Sequence, residues 1–418
     1  MESNEFITKD ININLRIYFI TSVLLLFSIF FLPSIKISSS LSIRIEDLII
    51  FLVIMPFLLK EIIIINSSIL LIASLAILEF ISILVNKNIF YLSAIFEPFK
   101  ILKFLLVLFI FYNIISQYEK KITKYIEIIF SILVVANLFQ YYNILDFNYN
   151  VGKFYASETN SISFMESLKE YKRMHGLMGN PNNNAILFCF FYCFFMSLHL
   201  YYEKKRHLLY SIIAIIIVLI CQSRTTLIAL IFSILLLPLF LNFKRKFSKA
   251  IKIIFILLIP TIILYLIIPI FYIKTIESMN LDEINSWNTR LSVWDFFWGY
   301  IKQRPLLGSG GNKQLYYLMN IDVDSGYFWF MYNFGLITTL IYIFIFINQI
   351  YLSLKYKTTV FSYLSFAFSI IILITSITNA PFQEPRLNLL IAISTATFIF
   401  SLNKLRKKRR LMLQKMKV

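Results

Sequence analysis

NTRLSVWDFFWGYIKQRPLLGSGG, Asn288–Gly311, is the one long polar interruption in a chain otherwise built for lipid. It lies in a span from about Lys274 to Ser325 that separates two strongly apolar runs. Within it Arg290 and Arg304 flank aromatic residues, and Pro305 leads into a turn carrying Gly308, Gly310 and Gly311. Structureless loops longer than about 12–15 residues inside compact proteins are functional or disordered. This one is too aromatic and too poor in charge for disorder. A membrane chain that keeps so large a structured loop is expected to do its chemistry there.

Outward from that stretch, composition sets the class. The chain is 59% hydrophobic and 17% aromatic, with 15% charged residues, against roughly 25% charged in soluble domains. A soluble globule is excluded. Apolar runs long enough to cross a hydrocarbon core recur throughout, and we count about twelve. They cover 16–33, 45–59, 63–85, 99–116, 125–143, 183–201, 208–222, 225–241, 253–273, 326–352, 359–378 and 387–402. Each is expected to be a helix, because lipid offers no partner to an open backbone. The expected fold is an all-α integral membrane protein, a single polytopic domain over 1–418 with both termini cytoplasmic.

The orientation rests on Lys and Arg. With the N-terminus inside, Lys60, the EKKITK loop at 119–124, EKKR at 203–206, KRKFSKAIK at 244–252, Lys355, Lys357 and the basic tail all face the cytoplasm. Almost the whole formal charge of +18 then lies on that side, the positive-inside pattern. The basic tail suits anionic lipid and calls for no nucleic acid. The first apolar run lacks a basic leader and a small-residue cleavage site, so it reads as an uncleaved helix. Two large loops, 144–182 and 274–325, are expected on the periplasmic face.

Cys189, Cys193 and Cys221 lie in expected helices without metal-ligand spacing and read as packing residues. No Gly-rich phosphate loop or inner-face acidic pair offers a nucleotide donor a site. Asp322 and Asp324 form an outer-face pair with no further ligands nearby. No metal and no cofactor is expected.

The candidate site residues are outer-face arginines and a few groups able to take a proton. Arg173 opens RMHGLMGNPNNNA, where Asn180 and Asn182–Asn184 crowd a helix start. Asn and Pro there fit capping. Capping uses one Asn of four, and a helix N-terminus also suits an anion. Arg224 follows Cys221–Ser223 in a very tight connection. It reads either as a snorkelling arginine or as an ionisable group facing a cavity. Arg290 sits among Trp287, Trp294, Phe296, Phe297 and Trp298, which fit an interfacial belt or a sugar platform. Arg304 fits surface charge or site equally. Glu97 and Lys100 fit a mutual i,i+3 pair. His175, Asp322, Asp324 and Glu384 are the outer-face proton acceptors. Arginines converging with few acids suit a phosphorylated headgroup, which guanidinium binds bidentately.

In these residues the chain resembles the O-antigen polymerase and ligase superfamily. The resemblance spans about 170–345 as a family-like catalytic core. It rests on R-x-x-G before the PN-rich helix start (Arg173 to Asn184) and on Ser223-Arg224-Thr225. It rests also on Arg290 and Trp294 leading to Pro305–Gly310, and on Ser325 and Tyr327 followed by Asn333, Gly335 and Leu336. Ligases of this superfamily characteristically carry a histidine in the second large loop, and this chain has none there. The resemblance therefore implies a polymerase. It implies metal-independent, inverting glycosyl transfer between polyprenyl-diphosphate-linked oligosaccharides at the periplasmic face of the bacterial inner membrane. Arg173, Arg224, Arg290 and Arg304 would bind the diphosphate. His175, Asp322, Asp324 or Glu384 would take the proton. A chain-length regulator and a flippase are the implied partners, and a ligase or a lipid-linked oligosaccharide transporter is the alternative reading.

Overall fold

The computed structural model describes residues 20, 23–32, 34–36, 42–50, 67–88, 91–150, 173–240, 257, 288, 290–311 and 323–415. Nearly all of the apolar run at 253–273, residues 51–59 of the run at 45–59, much of both large loops, and Asp322 lie outside them. Helix α1 (residues 23–31) leads to strands β1 (Ser34–Lys36) and β2 (Ser42–Arg44), then α2 (Ile45–Leu48), α3 (Ser67–Val85) and α4 (Leu92–Tyr141). Next come α5 (Pro181–Tyr202), α6 (Lys205–Ile220) and α7 (Arg224–Leu235), followed by α8 (residues 290–303). Helices α9 (Gly326–Lys355), α10 (Ser362–Thr375) and α11 (Pro385–Lys415) complete the described chain.

Helix α5 is the centre, and its sequence says why. Beyond its first turn, ILFCFFYCFF is apolar on every face, the composition of a helix surrounded by others. It is buried on nearly all sides, with Phe188, Phe191 and Phe195 packed round Phe130 of α4. Helices α6, α10, α11 and α7 also pack on it. By contrast, α9 leaves Leu336, Leu340, Phe344, Ile347 and Tyr351 exposed. Their spacing of three and four residues forms one apolar stripe, as contact with lipid requires. Helices α3, α5, α9 and residues Pro385–Arg406 of α11 are long and apolar enough to cross a membrane.

Three expectations need correction. The all-α reading holds across the described residues but for a short antiparallel hairpin, β1–β2, in register Ser34 opposite Arg44. The loop expected at 119–124 is helical, and the chain reverses instead at Tyr118 (φ −129°, ψ 33°) inside α4. A straight helix would part Glu97 from Gln140 by about 60 Å at 1.5 Å per residue. Yet Lys100 reaches Gln383 while Gln140 reaches Gly176, whose neighbour Leu177 is bonded by Arg386. Both ends of α4 therefore meet at one end of the bundle. Its kink lies at the other, where Glu119 meets Lys404 at 2.9 Å and Glu127 meets Arg206 at 3.1 Å.

The third correction concerns α9, expected as one unbroken helix. It breaks at Gly335 (φ 83°, ψ 177°) to admit the glycine turn that follows α8. Leu336 N donates to the Pro305 carbonyl, Ser309 N to Tyr332 O and Gly310 N to Asn333 O, at 2.7–2.8 Å. A Cβ at Gly335 would stand 2.1 Å from the Leu306 carbonyl oxygen, and one at Gly308 2.6 Å from the Gly335 nitrogen. The opened backbone groups of α9 thus find their partners in the turn, as buried peptide groups must. Asn86 and Asn88, just past α3, donate to the carbonyls of Gly308 and Ser309 from the other side.

Candidate functional site

The N-termini of α5, α7, α9 and α11 gather at the end where α4 begins and ends. The joints are polar and specific. Asn379 Nδ2 donates to Asn183 Oδ1 at 2.9 Å, and Thr378 Oγ1 to Thr225 Oγ1 at 2.7 Å. Gly326 N donates to the carbonyls of Ser376 and Asn379, both at 2.9 Å. The α10–α11 connection is therefore a floor on which three helix starts rest.

Each of the four asparagines crowding the start of α5 has its own task. Asn180 is the cap, its Oδ1 accepting from the backbone of Asn182 at 2.8 Å and Asn183 at 3.3 Å. Asn182 accepts from Arg173, Asn183 binds the floor, and Asn184 turns inward. Capping accounts for only the first, as the residue count implies.

Arg173 lies along the start of α5 and the α6–α7 connection. Its Nε donates to the Cys221 carbonyl at 3.3 Å, and its Nη2 to Asn182 Oδ1 at 3.3 Å and the Gln222 carbonyl at 3.4 Å. Burial lowers its pKa, and Arg224 and Arg290 lower it further. Two guanidinium groups from distant parts of the chain are thus near enough to act on the charge of Arg173. Arg224 is exposed at the first turn of α7. Arg290, at the start of α8, donates through Nε to Asp324 Oδ2 at 3.3 Å.

His175 is buried, 5% exposed, two residues from Arg173. Burial first and the Arg173 charge second push its pKa down to about 4, against a bond with the Gly179 backbone. It is neutral at pH 7 and adds no further positive charge.

The remaining candidates divide. Asp324 is exposed beside Arg290. Glu384 stands just before α11, with its carbonyl accepting from Asn388 N at 2.9 Å. Arg304 is drawn elsewhere: its Nη1 donates to Asn86 Oδ1, on the far side of the glycine turn. Asp322 lies outside the described residues. Glu97 and Lys100 do form the expected pair, at 2.9 Å, and Lys100 extends it to Gln383 Oε1 at 3.1 Å. Among the aromatics, Trp294 stacks on Phe328 of α9 at 5.2 Å and Phe297 packs on Tyr332 at 4.9 Å, so these two fasten α8 down. Trp298 keeps an exposed face.

Sequence reasoning overlooked Arg386. It is buried, and its guanidinium donates to the carbonyls of Leu177 and, at 3.1 Å, Leu32. A charge inside Glu384-Pro385-Arg386, at the start of an apolar run, was the available signal. Asn137 and Gln140, polar at i,i+3 within an apolar run, were a second.

No curated protein and no solved structure matches the chain. The family model described as O-antigen ligase matches residues 209–343, a stretch containing Arg224, Arg290, Arg304, Asp324 and the interlocked glycine turn. That match, which covers less than half of the chain, and the apolar helices support its resemblance to the O-antigen polymerase and ligase superfamily.

Proposed function

We propose that the chain is a polymerase of surface polysaccharide in the bacterial inner membrane, joining polyprenyl-diphosphate-linked repeat units at the periplasmic face. The observation that carries this reading is the gathering of three arginines at one end of the bundle: Arg173 is bonded to the Gln222 carbonyl two residues before Arg224, and Arg290 is tied to Asp324 at the start of α9, a grouping that suits an incoming diphosphate. In the proposed step, a hydroxyl of one lipid-linked unit attacks the anomeric carbon of a second. The new C–O bond forms as the bond to the diphosphate breaks, and polyprenyl diphosphate departs with the bonding pair. A single displacement inverts the anomeric carbon. The arginines meet the charge developing on the leaving group, the kind of stabilisation worth roughly 10²–10³ in rate per donor.

Asp324 is our choice for the proton acceptor. It is open to solvent and held beside Arg290, whereas His175 is buried and weakly basic. Among the described residues Glu384 has no such tie to the arginines. We assign Arg304 to anchoring the glycine turn through Asn86.

The ligase reading is favoured by the family description and disfavoured by the lack of a histidine at 274–325. Ala and Lys replacements of Arg173, Arg224 and Arg290 in the native host separate the two. A polymerase variant leaves a single repeat unit attached to its acceptor, whereas a ligase variant leaves the acceptor bare. Full-length glycan ladders in all the Ala variants would exclude both uses of these arginines.

A further inference from the structure

The segment Arg173–Met178 carries two of the candidate residues and is held by side chains that the proposed chemistry does not use. Asn137 and Gln140 lie one turn apart on α4, and Asn184 lies in the first turn of α5; all three are wholly buried. Gly176 N donates to Gln140 Oε1 at 2.5 Å. Asn184 Nδ2 donates to Asn137 Oδ1 at 2.7 Å and to the Met174 carbonyl at 3.2 Å. Gly176 adopts φ +55°, and a Cβ there would stand 2.5 Å from Asn184 Oδ1 and 2.9 Å from Asn137 Oδ1. The amides therefore fill the space in which the segment turns and hold its backbone on either side of His175.

Three wholly buried amides in an apolar bundle are costly unless their bonds are made. Leu, Met or Phe would pack α4 against α5 without that cost. Their bonds to Met174 and Gly176 also differ from those of a helix contact: they tie a connecting segment that ends in a single 3-10 turn, Gly176–Met178, not one α-helix to another. Arg173 is the first residue of that segment described, and its own bonds to Cys221, Gln222 and Asn182 depend on where Met174 and Gly176 lie.

We propose that Gln140, Asn137 and Asn184 form an amide clamp of positioning residues, which fixes the Arg173–His175 segment so that Arg173 faces the diphosphate. The inference rests on the functional reading above. Its direct consequence is kinetic: a loosened clamp lowers the turnover rate more than the affinity for substrate, because misplaced charge is felt most in the transition state.

Gln140→Met keeps the volume and removes the acceptor for Gly176 N. Gln140→Glu in its neutral form keeps an acceptor oxygen and loses nothing at Nε2, which has no partner among the described residues. Purified protein in proteoliposomes is assayed with lipid-linked repeat units, alongside amide hydrogen exchange at Gly176. For Gln140→Met we expect kcat to fall about 10-fold or more with KM changed less than about 3-fold. Gln140→Glu restores kcat. The Gly176 amide exchanges about 10-fold faster or more in Gln140→Met, while amides within α4 and α5 stay protected.

Unchanged exchange and unchanged kcat in Gln140→Met would overturn the clamp. So would general loosening of α4 and α5 with no rescue by Gln140→Glu, since that is the behaviour of a packing residue. Arg173→Ala is run in parallel. If it remains fully active the diphosphate reading fails, while the exchange result still decides whether the amides hold the segment.

Discussion

At the scale of single residues, the site turns on the charge of Arg173. Arg173 spends its hydrogen bonds on two carbonyls and one amide, and none of these neutralises it. His175 beside it stays neutral because burial and that same arginine lower its pKa from 6.5 to about 4. This has a consequence for stability. Below pH 6.5 the unfolded chain takes a proton on His175 that the folded chain refuses until about pH 4. Its contribution is therefore fully present above 6.5 and is lost as pH falls toward 4. Thermal unfolding in detergent at a series of pH values is expected to show this loss in the wild type. His175→Gln is expected to show a weaker loss over the same window, and identical profiles would contradict a buried neutral histidine. The arginines, the histidine and the crowded asparagines were legible in the sequence, because a polar residue at the edge of an apolar run is conspicuous. The partners were not. Nothing local in Asn182 or Asn183 says that one meets Arg173 and the other Asn379, and Arg386 was passed over because its carbonyl partners lie in remote segments.

At the scale of elements, the glycine turn after α8 and the break in α9 are two halves of one joint. The sequence marks Gly308 and Gly310 as a turn and places Gly335 inside an expected helix, and only the fold reveals that they interlock. A helix expected over 326–352 hides its interruption, since an apolar run carries no sign that a distant turn replaces its hydrogen bonds. Tyr118 illustrates the reverse case: two spans were anticipated, but the loop between them is a kink inside a helix. The joint predicts a contrast between neighbouring glycines. Gly335→Ala places a methyl group 2.1 Å from the Leu306 carbonyl oxygen, at a φ of +83°. It is expected to destabilise the fold by about 3 kcal/mol or more, with the turn displaced. Gly299, inside α8, has nothing within 4 Å of its would-be Cβ. Gly299→Ala is expected to be neutral or to stabilise by about 0.5–1 kcal/mol through helix propensity. Melting temperatures of the two purified variants check the pair. Equal effects would remove the joint from the account.

At the scale of the whole molecule, polarity is sorted by end. The arginine cluster, the helix starts and the glycine joint share one end, and the Glu119 and Glu127 ion pairs occupy the other. Charge along the sequence had assigned these ends to opposite sides of a membrane, by a rule that needs no structure. The proposed orientation is testable because Cys189, Cys193 and Cys221 are all buried. In spheroplasts, an impermeant maleimide is expected to label Tyr149→Cys and to spare Lys404→Cys until the membrane is opened. The reverse labelling would invert the proposed topology. The central claim, that Arg173, Arg224 and Arg290 together stabilise a departing diphosphate, is tested most directly by one measurement. Single-turnover release of polyprenyl diphosphate from a purified lipid-linked repeat unit is followed in proteoliposomes for the wild type and the three Ala variants. Each folded variant is expected to release product roughly 10²–10³-fold more slowly. Release within a few-fold of wild type in all three would contradict it.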